Sequence, residues 1–158
     1  MSPLTKDDLK IIREHAVGEY PHECCGIVLG KIGSADENIL YRCENIQNRL
    51  HEKDPETFTR DARTAFYIDP KELMSILKDA QDKKLEIKVF YHSHPEHDAY
   101  FSEEDKRMAL FDGEPLYPNS DFLVVSVYDQ KVKKEVLFSW NADIKEFSEK
   151  KDNVLIQS

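Results

Sequence analysis

The chain has no apolar run that approaches membrane-spanning length. Its start, MSPLTKDDLKIIREH, is charged and amphipathic and lacks the order of a secretory leader. Cysteine is scarce. The three present, Cys24, Cys25 and Cys43, are odd in number and two are adjacent, a poor basis for a disulfide framework. These absences make a reducing cytoplasm the simplest expected compartment. Positive charge is short as well. Against 31 acidic residues stand 22 Lys and Arg, a net charge of -9. That excludes a sequence-nonspecific nucleic-acid binder, which needs a basic face. There are no internal repeats and no low-complexity tract.

What remains is the makeup of one domain. The 158 residues are 40% hydrophobic and 34% charged, ordinary for a globular protein, and such a length can bury a core without staples. Residues 5–18 predict an amphipathic helix. Thr5 stands at the N-cap with Asp8 three residues on, Leu4 and Leu9 sit as a hydrophobic staple, and Leu9, Ile12 and Ala16 keep helical spacing until Pro21. CGIVLG (25–30) predicts a buried strand and ENILYRCENI (37–46) the next one. Of Cys24 and Cys25, one is expected to face inward. Residues 47–65 have no clean period and predict a long charged surface loop with at most a short strand; FYI (66–68) predicts a brief strand. Asp69, Pro70 and Glu72 then announce a helix with the apolar stripe Leu73, Ile76, Leu77 and Ala80. A strand over 86–94 is stopped by Pro95, a helix begins at 102, and strands over 121–128 and 134–140 flank a turn at Asp129–Lys131. The expected architecture is a single α/β or α+β domain over 1–142, followed by a charged tail over 143–158, whose apolar Val154–Ile156 docks or frays.

One stretch carries chemistry: YHSHPEHDAYFSEEDKRMAL, 91–110. Alternation along a strand points His92 and His94 to one face, and Pro95 keeps His94 extended. After a short loop, Asp105 falls in the first turn of a helix. Two imidazoles and one carboxylate suit zinc, and three protein ligands leave a coordination position for water, as in catalytic sites. Such a centre hydrolyses an amide or thioester with the help of a proton acceptor and an oxyanion donor. Glu23, at the mouth of a predicted buried strand, is a candidate acceptor. The Ser102 hydroxyl is the nearest candidate donor, although Ser102 also fits a helix N-cap. His22 and His97 flank these motifs, and His15 and His51 read as surface residues.

HSHPEHDAYFSEED resembles the His-x-His-Pro…Ser-x-x-Asp signature of the JAMM (MPN+) zinc metalloproteases. EYPHECCGIVLG and AFYIDPKEL resemble the corresponding segments of short prokaryotic members. The resemblance spans about 5–140, with Phe101 standing where many relatives have proline. It implies zinc held by His92, His94 and Asp105, Glu23 as general base and then acid, and Ser102 as oxyanion stabiliser. It also implies a single-domain JAMM/MPN fold: a mixed β-sheet flanked by helices, in the style of the cytidine deaminases. The implied substrate is a ubiquitin-like or sulfur-carrier protein with a Gly-Gly tail, cut after its terminal glycine at an isopeptide bond, a peptide bond or a cysteine adduct. A non-catalytic scaffold and a general metallopeptidase are the rival readings. Neither nucleic acid nor membrane is an expected partner, and oligomeric state is left open.

Overall fold

A computed structural model describes residues 3–150. The apolar run Val154–Ile156 lies outside them. Helix α1 (Lys6–Glu19) starts as its sequence predicts. The Thr5 hydroxyl accepts from the Asp8 amide at 3.0 Å, and the Asp8 carboxylate accepts from the Thr5 amide at 2.9 Å. Such a cap contributes about 1 kcal/mol. Then follow β1 (Cys25–Gly30), β2 (Ile39–Cys43), α2 (Gln47–Lys53), α3 (Pro70–Lys83) and β3 (Glu86–Pro95). Helix α4 (Glu103–Ala109) leads into β4 (Leu110–Phe111), β5 (Glu114–Pro115), β6 (Asp121–Tyr128), β7 (Lys131–Asn141) and β8 (Glu146–Glu149).

Six strands form one mixed sheet in the order β2-β1-β3-β6-β7-β8, and β4 and β5 form a small separate hairpin. Among the described residues, β3–β6 is the one parallel pair. A parallel pair needs a crossover, and α4 supplies it. Helix α1 lays Leu9, Ile12 and Ala16 against Val28, Val89, Leu123 and Val125 on one face. On the opposite face α3 sets Ile76 and Ala80 over Ile27 and Leu29. Beside it, Phe101 and Ala109 pack with Phe122, Val124 and Phe138. With both faces covered, a strand need not alternate to be buried. Cys24 therefore joins the α1 layer and Cys25 the α3 layer, and both thiols are buried where only one was expected to be. Burial pushes the Cys24 thiol up to about 12.

The central pairing of β1 with β3 puts Gly26 opposite Tyr91. A Cβ on Gly26 would lie 2.1 Å from the Tyr91 ring, so only glycine lets that ring cross β1. Beyond it the Tyr91 hydroxyl is hydrogen-bonded to Nδ1 of His15 at 2.7 Å. His15, expected at the surface, is only 6% exposed. Burial, assisted by the Arg42 charge, lowers its pKa to about 4.

Other expectations are corrected. Residues 47–65 are not an open loop: they begin with α2 and fold back on it. Gln47 Nε2 donates to the Arg60 carbonyl at 2.8 Å, His51 Nδ1 to that of Phe58 at 2.7 Å, and the Ala62 amide to the Asn48 side chain at 2.7 Å. His51 is thus partly buried as well. The predicted strand at 66–68 reduces to a single bridge between Asn45 and Ile68. The expected turn between β6 and β7 is present, as a two-residue hairpin with Asp129 and Gln130 at φ 51° and 62°, the primed geometry that fits strand twist. The tail counted from residue 143 contributes β8, whose Phe147 closes onto Phe101 at 4.8 Å between centroids. No helix among the described residues is long and apolar enough to cross a membrane.

Candidate metal centre

Strand β3 sorts its side chains by alternation. Tyr91 belongs to the α1 layer, and the Ser93 hydroxyl on that side accepts from the Cys24 amide at 2.7 Å. His92 falls on the other side, its ring stacked on Phe66 at 4.7 Å. Strand β6 fixes the height of both histidines, pairing His92 with Val124 and His94 with Ser126. Beyond Pro95 the chain turns at Glu96 (φ 60°) and reaches Ser102, the N-cap of α4. Here the capping box has a second consequence. The Ser102 hydroxyl accepts from the Asp105 amide at 3.1 Å, while Asp105 Oδ2 accepts from the Ser102 amide at 3.0 Å. The cap that starts the helix therefore also fixes the Asp105 carboxylate.

Three ligand atoms converge. His92 Nε2 and His94 Nε2 are 3.2 Å apart, and Asp105 Oδ2 lies 3.1 Å from the first and 3.2 Å from the second. All three residues are buried. A tetrahedral zinc with bonds of about 2.0–2.1 Å holds its ligand atoms roughly 3.3 Å apart, so this near-equilateral triangle fits such an ion. The tautomer fits too. His94 Nδ1 donates to the Asp98 carbonyl at 2.9 Å, which leaves Nε2 a lone pair directed at the centre. Asp98 is itself anchored, its carboxylate accepting from the Tyr128 hydroxyl at 3.0 Å and from Lys133 at 3.4 Å.

Glu23 lies two residues before the start of β1 and is 5% exposed. Its backbone is clamped: the amide donates to the Ala62 carbonyl at 2.7 Å, and its own carbonyl accepts from Asn45 Nδ2 at 2.9 Å. Its side chain is not. Among the described residues, Glu23 Oε1 is the one buried side-chain oxygen or nitrogen without a hydrogen-bond partner. Burial, then the charge of Asp105, pushes the carboxyl well above its ordinary value, against the pull of Arg60.

The structure thus brings His92, His94 and Asp105 together, with Ser102 bonded to Asp105 and Glu23 electrostatically coupled to it. His97 turns back instead, its Nδ1 donating to the Pro95 carbonyl at 2.8 Å. Sequence reasoning missed Asp98, which acts through its backbone and leaves no residue-type signal. It also missed Asn45, whose side chain stitches Glu23, Ala65, Gln47 and Tyr67 together. An Asn at the end of a strand was the available hint.

Known proteins resemble this chain in sequence and in fold. The desampylase of Haloferax volcanii is 30% identical over 101 residues, a match that takes in 64% of this chain. The match also covers 64% of that protein, so this chain spans just under two thirds of the relative's length. A Desulfitobacterium hafniense solution structure shares the fold with a TM-score of 0.66 at 24% identity, covering 93% of this chain and 88% of its own. A Salinibacter ruber solution structure gives 0.59 at 26% identity, covering 93% and 87%. The family model described as prokaryotic homologs of the JAB domain matches residues 5–143, and the chain belongs to that family.

Proposed function

We propose that this protein is a zinc-dependent hydrolase that cuts the peptide or isopeptide bond after the terminal glycine of a ubiquitin-like or sulfur-carrier protein. His92, His94 and Asp105 would hold the ion. When bound, zinc polarises the scissile carbonyl and lowers the pKa of its water toward about 7. Everything else falls to the chain. Glu23 Oε1, buried and without a partner, takes the proton of the attacking water and returns it to the leaving amine. A carboxyl whose environment raises its proton affinity suits both halves of that task. The Ser102 hydroxyl spends its oxygen as acceptor for the Asp105 amide, and its proton is left to donate to the oxyanion. A glycine pair in the substrate lets the backbone pass close over the site.

The observation that carries this reading is the triangle of ligand atoms at 3.1–3.2 Å, accompanied by a buried carboxylate oxygen with no partner. The similarity to a desampylase supports the choice of a modifier protein as substrate. The test has two parts. Elemental analysis of protein purified without chelator should find one zinc per chain. Incubation with Gly-Gly-ended small proteins of the same organism, each extended by a few residues, should release the extension, as read by mass spectrometry. A folded, metal-free chain would refute the proposal and favour a scaffold.

A further inference from the structure

The chain has six arginines. Arg13, Arg42, Arg49, Arg63 and Arg107 each pair with a carboxylate: Glu135, Glu14, Asp69, Asp61 and Glu104 in turn. Arg60 does not. Among the described residues its guanidinium makes one hydrogen bond, from Nη1 to the Thr64 carbonyl at 3.4 Å. In a chain of net charge -9, an exposed guanidinium with no carboxylate beside it is the exception. Its backbone, by contrast, is fixed. Gln47, 5% exposed, donates to the Arg60 carbonyl at 2.8 Å, and two residues on the Ala62 carbonyl accepts from the Glu23 amide at 2.7 Å. The segment that clamps Glu23 therefore also presents Arg60. Two clefts meet there. One, of about 430 Å³, has Pro21, Thr64, Pro95 and His97 in its wall, and the other, of about 290 Å³, has Tyr67 and Glu104. Arg60 and Thr59 line both. Pro95 adjoins His94, and Pro21 lies two residues before Glu23. The larger cleft shares no lining residue with the mostly apolar cavity of about 360 Å³ that His92 and Asp105 wall.

What meets Arg60 follows from charge and from the path of the proton. A planar guanidinium with free N–H groups is matched by a carboxylate, which it binds through two parallel hydrogen bonds. The carboxylates already in the larger cleft are engaged. Asp61 holds Arg63 at 2.8 Å, and Glu96 accepts from the Tyr20 hydroxyl at 3.0 Å. On the function proposed above, Glu23 returns its proton to the leaving amine. Atoms attached to that nitrogen therefore pass Arg60, whose charge acts on the Glu23 carboxyl. The modifier's glycine pair has no side chain to offer the guanidinium, whereas the leaving group does. We propose that Arg60 forms a leaving-group subsite, binding a carboxylate on the first or second residue past the cut bond. That carboxylate is the free terminus of a one-residue extension or an acidic side chain, and the guanidinium recognises both in the same way. This rests on the proposed function.

The experiment uses the zinc-loaded wild-type chain, Arg60→Gln and Arg60→Lys, with two matched pairs of peptides. In the first pair Gly-Gly is followed by a single Ala, as free acid or as amide. In the second it is followed by Ala-Glu or Ala-Gln, both amidated. Release of the extension gives kcat/KM, and titration onto Glu23→Gln chains, with and without Arg60→Gln, gives Kd. In at least one pair the carboxylate peptide should exceed its neutral partner by roughly 5- to 20-fold in both readouts, and the pair that does so identifies the source. Arg60→Gln should shrink that ratio below about 2-fold, and high salt should shrink it in the wild type. Arg60→Lys should keep part of it, because the charge remains while the fork is lost. Equal rates within both pairs, in a wild type that cleaves, would overturn the subsite. So would a preference that survives Arg60→Gln, or a loss in Arg60→Gln of the same size for every peptide, which would put the guanidinium at the reacting carbonyl instead. A carboxylate preference in Kd that depends on Arg60, without cleavage of any peptide or protein conjugate, would leave the subsite standing and remove the hydrolase reading.

Discussion

Lowering the pH should loosen this fold through one residue, His15. Its imidazole is 6% exposed, bonded to the Tyr91 hydroxyl at 2.7 Å, with Arg42 as the unfavourable charge nearby and Glu19 3.8 Å away. Burial and Arg42 bring its pKa from 6.5 to about 4. The unfolded chain therefore takes up the proton first. Stability is complete above about pH 6.5 and is lost as pH falls toward 4. At about 1.4 kcal/mol per pH unit, that shift is worth on the order of 3 kcal/mol. A typical domain has only about 5–15 kcal/mol in total, so the loss is measurable. The perturbation is His15→Gln, which keeps a polar partner for Tyr91 and does not titrate. Urea titrations of both chains at pH 7.5, 6, 5 and 4.5 give a difference in which the carboxylates and the other histidines cancel. Wild type minus variant should fall by most of those 3 kcal/mol across the series. A difference that stays flat within about 0.5 kcal/mol would show that His15 carries no buried proton linkage, and the reasoning from its surroundings would fail.

Three further outcomes are expected. Glu23→Gln should keep its zinc and lose about 10²- to 10⁴-fold in turnover. It should also gain about 1 kcal/mol or more of stability in urea, because a buried ionisable oxygen without a partner is replaced by a neutral amide; residual turnover near wild type would remove Glu23 from proton transfer. His92→Ala or Asp105→Ala should lose metal, by elemental analysis, and activity together; zinc retained at one per chain in either variant would show that the triangle is not its site. Ser102→Ala should cost about 1 kcal/mol through the lost cap and about 10²- to 10³-fold in kcat through the lost donor. Ser102→Asp separates the two: it can cap the helix but donates nothing at neutral pH, so its stability should recover while kcat stays low.

How much of this was legible in the sequence depends on whether a signal is local. The candidate ligand frame was readable because each part obeys a short-range rule. A two-residue strand period aims His92 and His94 together, and a three-residue capping box both starts α4 and holds Asp105. Helices α1 and α3 were announced by their own caps in the same way. The misses share the opposite property. His15 is buried by a tyrosine 76 residues away, across a strand that admits the ring only because Gly26 has no side chain. Helix α2 and the returning segment are held by Gln47, Asn48 and His51 bonding to backbone, polar contacts that no hydrophobic period reports. Strand β8 looked like charged tail because Phe147 is its one large apolar residue, and that residue gains its value only among the rings of Phe101, Phe122 and Trp140. The hairpin of β4 and β5 did carry a cue in Asp112-Gly113, both at positive φ, but strands of two residues are too short to show alternation. The same contrast runs through the site itself. Its candidate ligands lie within fourteen residues of one another and could be read as a motif. The apolar cavity beside them is assembled from residues 66–73, 90, 101–109 and 116–122, which only the closed fold brings to one place. A motif can therefore announce the candidate ligands of such a centre, while the space beside them is shaped by packing that no single stretch contains.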